Sequence, residues 1–230
     1  MIKIALLEPE TAGNIGAVAR VMKNFGFRDL ILINPQCDHV SNEAIARSKH
    51  AKDVLKRAKV IDSIDSLKYD YLIATTGKIG GPYNVNRLTV APEYLSENLP
   101  KNGKVIILFG REGIGILNEE IEKCDIVVHI PTPKRSIMYS TMNLSHAVAI
   151  VLYELSKSEQ KEVRIASKEE REAIFNLSEE VISMIEWSKT TSPKTVDTVF
   201  KNVINRAFVH KREAYTLAGL FRKIRYHMKK

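Results

Sequence analysis

The chain has 230 residues, 44% of them apolar, and a formal net charge of +8. That length suits one good core with a smaller appendage. No apolar run approaches the roughly 18 residues of a membrane span, residues 1–8 do not fit a signal peptide, and Cys37 and Cys124 form neither a C-x-x-C nor a disulfide framework, so a reducing cytoplasm is the expected setting.

Residues 2–7 predict a strand, broken by Glu8-Pro9-Glu10-Thr11. Ile15, Val18, Ala19, Met22 and Phe25 then recur at helical spacing, with Asn14 as candidate N-cap and Gly26 as stop. A strand at 30–33 closes at Asn34-Pro35, and a helix is predicted within 42–57. Residues 60–61 form a short strand, and 71–75 a stronger one ending at Thr76-Gly77. Residues 78–90 read as loop, 92–99 as helix, 105–109 as strand, 118–123 as helix, 126–130 as strand and 143–156 as helix. Strands alternating with helices predict an α/β domain around a mainly parallel sheet.

That domain is expected to span 1–156, followed by a polar linker at 157–168 and a small all-α extension at 169–230. Ser167-Lys168-Glu169-Glu170 fits a capping box for a helix to about residue 189. Thr190-Thr191-Ser192-Pro193 breaks it, and helices at 194–209 and 212–228 complete the unit. Residues 199–230 carry nine Lys/Arg against Glu213 alone, so the first 198 residues balance at 26 basic and 26 acidic. A concentrated basic surface is the footprint of a phosphate-backbone binder. Lys211, Arg212, Arg222, Lys223 and Arg225 are the expected nucleic-acid contacts, with Phe221 and Tyr226 expected in the core of the helical unit.

Three stretches hold residues able to do chemistry. Asn14 opens a helix, where N–H groups favour anions, and Arg20 follows six residues on. Gly110-Arg111-Glu112-Gly113-Ile114-Gly115 ends a buried strand with backbone donors and close approach, yet it is neither a phosphate-binding Walker loop nor a G-x-G-x-x-G turn. Arg111 and Glu112 suit a surface pair, or a phosphate contact with a positioning carboxylate. A loop carrying Ser140, Thr141 and Asn143 precedes the 143–156 helix. His129 and His146 suit core or edge positions, no metal spacing occurs, and no Ser/His/Asp order suggests acyl transfer.

Taken together and in order, N-x-G-x-x-A-R, F-G-R-E-x-x-G, and I-P followed by S-T-M-N-L-S resemble the three motifs of the SPOUT methyltransferases, in the TrmH/TrmJ-like branch of RNA 2′-O-ribose methyltransferases. The resemblance covers about residues 1–156. The wording LLEPETAGNIGAVARVMKNFGF and the helical tail are most similar to TrmJ-type tRNA methyltransferases, which modify nucleotide 32 of the anticodon loop. The resemblance implies a deep trefoil knot at the carboxyl end of the sheet, S-adenosylmethionine as cofactor, a tRNA substrate and a homodimer with the site at the subunit boundary. It assigns the cofactor pocket to Thr75, Thr76, Gly77, Gly110, Ile130, Ser140, Thr141 and Met142. It assigns catalysis to Asn14, Arg20, Glu112, Thr141 and Asn143, and RNA contact to Arg20 and Arg111. Thr141-Met142-Asn143 stands where the family has Ser-Leu-Asn, keeping the hydroxyl and the apolar bulk. Set beside the family's pattern, the segment 131–139 looks longer than in bacterial relatives. The readings set against this one are an rRNA methyltransferase, a non-catalytic RNA-binding protein on the same fold, and an unrelated nucleotide-binding α/β enzyme.

Overall fold

A computed structural model describes residues 1–79, 88–100, 102–132, 141–157 and 164–229. Among these, β1 (Ile2–Leu7), β2 (Leu30–Ile33), β3 (Lys59–Ile61), β4 (Tyr71–Thr76), β5 (Thr89–Val90), β6 (Val105–Phe109) and β7 (Ile126–His129) form one sheet in the order β3-β2-β1-β6-β4-β7-β5. Every pairing is parallel. The central strands are apolar on both faces because helices or loops cover both. Ile4, Leu6, Ile73, Ile107 and Phe109 enter one layer, and Ala5, Leu72, Ala74, Ile106 and Leu108 the other, following the two-residue period of a strand.

The helices are α1 (Ala12–Asn24), α2 (Asn42–Ser48), α3 (Lys52–Lys56), α4 (Pro92–Asn98), α5 (Asn118–Ile121), α6 (Leu144–Ser156), α7 (Lys168–Met184), α8 (Pro193–Arg206) and α9 (Lys211–Met228). Three of these and one strand differ from expectation. The N-cap foreseen at Asn14 falls three residues earlier, at Thr11, whose carbonyl accepts from the amides of Asn14 and Ile15, while Glu112 holds the amides of Glu10 and Thr11 that lead into the helix. The helix foreseen within 42–57 divides at Lys49, whose φ of 52° and ψ of −113° leave the helical region before a 3₁₀ turn at Lys49–Ala51. The loop foreseen at 78–90 ends in β5, which adds to the edge of β7. The capping box at Ser167 and Glu170 forms, but α7 stops at Met184, where Ile185 turns extended and the Trp187 indole N–H donates to the Ile182 carbonyl.

Close packing of α1 on α2 depends on Gly16. A Cβ there would lie 2.2 Å from the Ala44 carbonyl oxygen. Ile15, Val18, Ala19 and Met22 of α1 and Ala44 of α2 join Ile4, Leu6, Leu30 and Leu32 of the strands in one apolar cluster.

The helical tail is built into the main core. Phe208 belongs to the same apolar cluster as β1 and β6, and its ring lies 4.9 Å from that of Tyr71. Arg171, only 1% exposed, stacks its guanidinium 3.7 Å from the Tyr71 ring centre. It donates to Asp70 O at 2.6 Å, Asp125 Oδ1 at 3.1 Å, Asn205 Oδ1 at 3.0 Å and Ala166 O at 3.3 Å. Burial pushes the Tyr71 phenol up to about 12 and raises the Asp125 carboxyl against the pull of Arg171. Tyr94 Oη adds a bond to Arg206 O at 2.7 Å. Asp70 and Asp125 precede β4 and β7, so the tail docks on the edge where the strands begin.

Candidate functional site

The opposite edge holds the site. Where β4, β6 and β7 end, a cavity of about 430 Å³ is lined by Thr75, Thr76, Gly77, Phe109, Gly110, Ile130, Thr141 and Met142, with Ile114, Leu117 and Leu144 among the other walls. Ligands of open α/β sheets bind at this edge, and the volume is that of a small-molecule pocket. Seven of the eight expected cofactor residues therefore meet in one cavity; the eighth, Ser140, lies outside the described residues. Most of the segment 131–139 lies outside them as well.

The loop after β6 can fold only around glycine. A Cβ on Gly110 would lie 2.4 Å from the Gly115 carbonyl carbon, because the loop returns to pair Arg111 with Gly115. Gly115 has a φ of 73°, which glycine adopts without strain. The turn projects Ile114, 65% exposed, and Leu117 beside the cavity. Sequence reasoning missed both, although an isoleucine set between two glycines of a polar loop is a visible sign of an apolar contact waiting for a partner.

The second feature of the site is a chain of side chains joining all three motifs. Glu112 accepts from the amides of Glu10 at 3.0 Å and Thr11 at 3.3 Å, and from Asn14 Nδ2 at 3.1 Å. Asn14 Oδ1 accepts from Asn143 Nδ2 at 3.1 Å. Asn143 Oδ1 accepts from Ser145 N at 2.9 Å and Ser145 Oγ at 2.8 Å, capping α6. The carboxylate thus sits at the positive end of α1, and two asparagines carry its orientation across to α6.

Arg111 does not have the role foreseen for it. Its Nε donates to Glu8 Oε2 at 2.6 Å, and its terminal nitrogens grip Glu120 at 3.0 and 2.8 Å. The side chain is 10% exposed and four of its five N–H donors are engaged within the protein, so in this arrangement it serves as an internal tie. Bonds from Glu120 and Glu8 raise the guanidinium pKa. Arg111 and Asn34 in turn hold Glu8 below the usual carboxylate range. Arg111 thereby fastens the end of β1 to the glycine loop and α5.

Arg20 is exposed and stands apart from the cluster. Six residues of helix turn it about 120° from Asn14 and carry it about 9 Å along the axis. On the tail, Arg212, Arg222 and Lys223 are exposed, while Lys211 pairs with Glu170 at 2.6 Å and Arg225 with Glu180 at 2.8 Å. Phe221 packs on the tail's apolar cluster as foreseen; Tyr226 does not, being 58% exposed. His129 Nδ1 lies 3.0 Å from Thr76 O, an edge position. Among the described residues no group of His, Cys, Asp and Glu is arranged to hold a metal ion, and no helix is long and apolar enough to cross a membrane.

Known proteins share this architecture. A family model described as the SpoU rRNA Methylase family matches residues 1–153. A relative from Methanocaldococcus jannaschii, named tRNA (cytidine-2′-O-)-methyltransferase TrmJ, is 38% identical over 96% of this chain and 99% of its own. A relative of the same name from Sulfolobus acidocaldarius is 34% identical over 97% of this chain and 93% of its own. The crystal structure of TrmJ from Z. mobilis ZM4 aligns with a TM-score of 0.68 at 26% identity, covering 97% of this chain and 98% of that one. A match of this extent, with the three motifs converging on one edge of the sheet, places the chain in the SpoU methylase family.

Proposed function

We propose that the protein transfers a methyl group from S-adenosylmethionine to a ribose 2′-hydroxyl of tRNA, at nucleotide 32 of the anticodon loop. The observation that carries the reading is the convergence of Thr75–Gly77, Gly110, Ile130, Thr141 and Met142 on one cavity, with the Glu112–Asn14–Asn143 chain on its rim. The full-length relatives named for tRNA methylation favour tRNA as the acceptor. The choice of nucleotide rests on the resemblance to TrmJ-type sequences.

The cavity fits the proposed donor. Ile114, Leu117, Ile130, Met142 and Leu144 offer an apolar slot for a flat ring, and the glycine loop offers backbone polar groups. With the charge of Arg111 spent on Glu8 and Glu120, Lys78 is the one free cation among the described lining residues, which suits a nucleoside better than a polyphosphate. The donor supplies an electrophilic methyl on a sulfonium centre. The trefoil knot belongs to this proposal, with its crossing segments at the cavity.

The protein's work is alignment and charge. The Glu112–Asn14–Asn143 chain fixes the loop after β1 against α6 and so sets the edge on which the acceptor ribose lies. Arg20 holds the target phosphate and steadies the developing alkoxide, while water or a phosphate oxygen takes the proton, guanidinium groups being donors only. Because Arg20 stands off the cavity of its own chain, it serves the site of a second copy. Half-buried Ala17, Val21 and Phe25 on α1 and Ala149 and Ile150 on α6, beside exposed Tyr153, form the apolar strip for that homodimer. The setting is the cytoplasm.

The test is tritiated-methyl transfer to tRNA and rRNA transcripts, with mass mapping of the product. Arg20→Lys is expected to lose about 10²–10³ in turnover while donor affinity, measured by calorimetry, stays. Arg20→Ala working at near wild-type rate removes that role. A chain that binds no S-adenosylmethionine is a non-catalytic RNA binder.

A further inference from the structure

The overall charge count conceals a local excess on the catalytic part of the chain. Residues 47–59 hold six Lys/Arg against Asp53 alone. Arg47, Lys49, Lys52, Lys56, Arg57 and Lys59 are all exposed. Asp53 does not neutralise them, because its carboxylate is held 2.6 Å from Lys23 of α1. Among the described residues, none of the six is seated in an ion pair. Lys52 and Lys56 stand one helical turn apart on the same face of α3, a like-charge pair that isolated helix stability disfavours.

One backbone feature makes this more than a solvated surface. Lys49 has a φ of 52° and ψ of −113°, the values glycine supplies at the first central position of a type II′ turn. A lysine there is strained, and strained residues of this sort gather at ligand-contacting sites. The favourable pull of helix C-termini on cations accounts for a basic residue near the ends of α2 and α3. It does not account for lysine at the one position of the segment where glycine is at ease. The break places Lys49, His50 and Lys52 around a shallow depression that also includes Ile45 and Ala46.

The ridge adjoins the helix that carries Arg20. Arg47 packs on α1 beside Gly13 and Gly16. Lys23, one helical turn beyond Arg20, donates to His50 O at 2.7 Å. Since α2 follows the carboxyl end of β2 and β3 begins at Lys59, the cations run from the site edge down the flank of the sheet.

We propose that the α2–α3 ridge is a second RNA surface, separate from the tail, that grips consecutive phosphates of the substrate strand beside the nucleotide held by Arg20. This deepens the RNA reading above and rests on it. The probe is a tRNA transcript bound by the full-length protein across a salt series. Lys49→Gln/Lys52→Gln/Lys56→Gln is expected to lower the slope of log affinity against log salt by about two to three, weaken binding at least about tenfold, and raise KM for tRNA with kcat and donor affinity unchanged. The triple Lys→Arg variant restores the slope. Lys49→Gly gives the sharper contrast: its melting temperature holds or rises, because the backbone strain is relieved, while its salt slope falls by about one. An unchanged slope in the triple variant of a protein that methylates tRNA overturns the ridge alone. A protein that binds tRNA with a slope sensitive to the ridge but transfers no methyl overturns the methyltransferase reading and leaves the ridge standing. A wild-type chain that does not bind tRNA overturns both.

Discussion

At the scale of single residues, the sequence exposed chemistry but not partnership. Glu112 and Asn143 were legible as reactive-site residues; that they meet through Asn14 was not, since residues about 98 and 129 positions apart are joined only by the fold. Glu112→Gln keeps the size of the side chain and removes the charge at the start of α1. It is expected to destabilise by about 1–2 kcal/mol, the scale of hydrogen bonds that lose their charged acceptor, and to slow methyl transfer more than it weakens donor binding; urea denaturation and single-turnover transfer read the two effects. Arg111 was misread because an arginine after a glycine looks free for phosphate, whereas Glu8 and Glu120 claim it. Bonds from Arg111 and Asn34 lower the Glu8 pKa; for Glu120, burial acts upward and Arg111 overcomes it. Both carboxyls therefore add stability that is complete above their ordinary value of 4.5 and is lost as pH falls below it. Arg111→Met should flatten the acid side of a plot of urea midpoint against pH. An acid limb identical to wild type would show that the pair contributes nothing to acid stability.

At the scale of elements, strand positions were readable because buried parallel strands are unbroken aliphatic runs; the 105–109 strand lies where the apolar pattern put it. Helix boundaries were less so. The division at Lys49 carries no proline or glycine to announce it, and β5 is too short for a two-residue period to register. The tail's attachment was invisible for a different reason: Arg171 sits in a helix rich in charges, where nothing local marks one arginine as buried. Its bond to Asp125 beneath the stacked Tyr71 ring puts a charge pair out of water, where removing one partner costs more than the pair contributes. Arg171→Met is expected to cost about 3–5 kcal/mol, and Asp125→Asn in the same chain to return part of it. Equal losses for Arg171→Met with and without Asp125→Asn, measured by denaturant midpoints, would mean the two side chains are uncoupled.

At the scale of the whole molecule, the basic tail and the donor cavity occupy opposite ends of the strands, about 17–20 Å apart for strands of this length. On the function proposed above, the tail would meet RNA away from the ribose that reacts in its own chain. Replacing Arg222 and Lys223 with glutamine is expected to lower the salt slope of tRNA binding by about two without changing the melting temperature, as both side chains are exposed. These substitutions test the tail better than removing it, because a chain cut after the first domain lacks Phe208 and Arg171 and uncovers Tyr71. The seat of Phe208 in the first domain's core also bears on how the protein is made. Synthesis delivers the sheet long before it delivers residue 208, so the nascent sheet waits with the beginnings of β4 and β7 uncovered. Completion of the core waits for a segment made well after the sheet, and chains stalled before that point should present an apolar edge to chaperones.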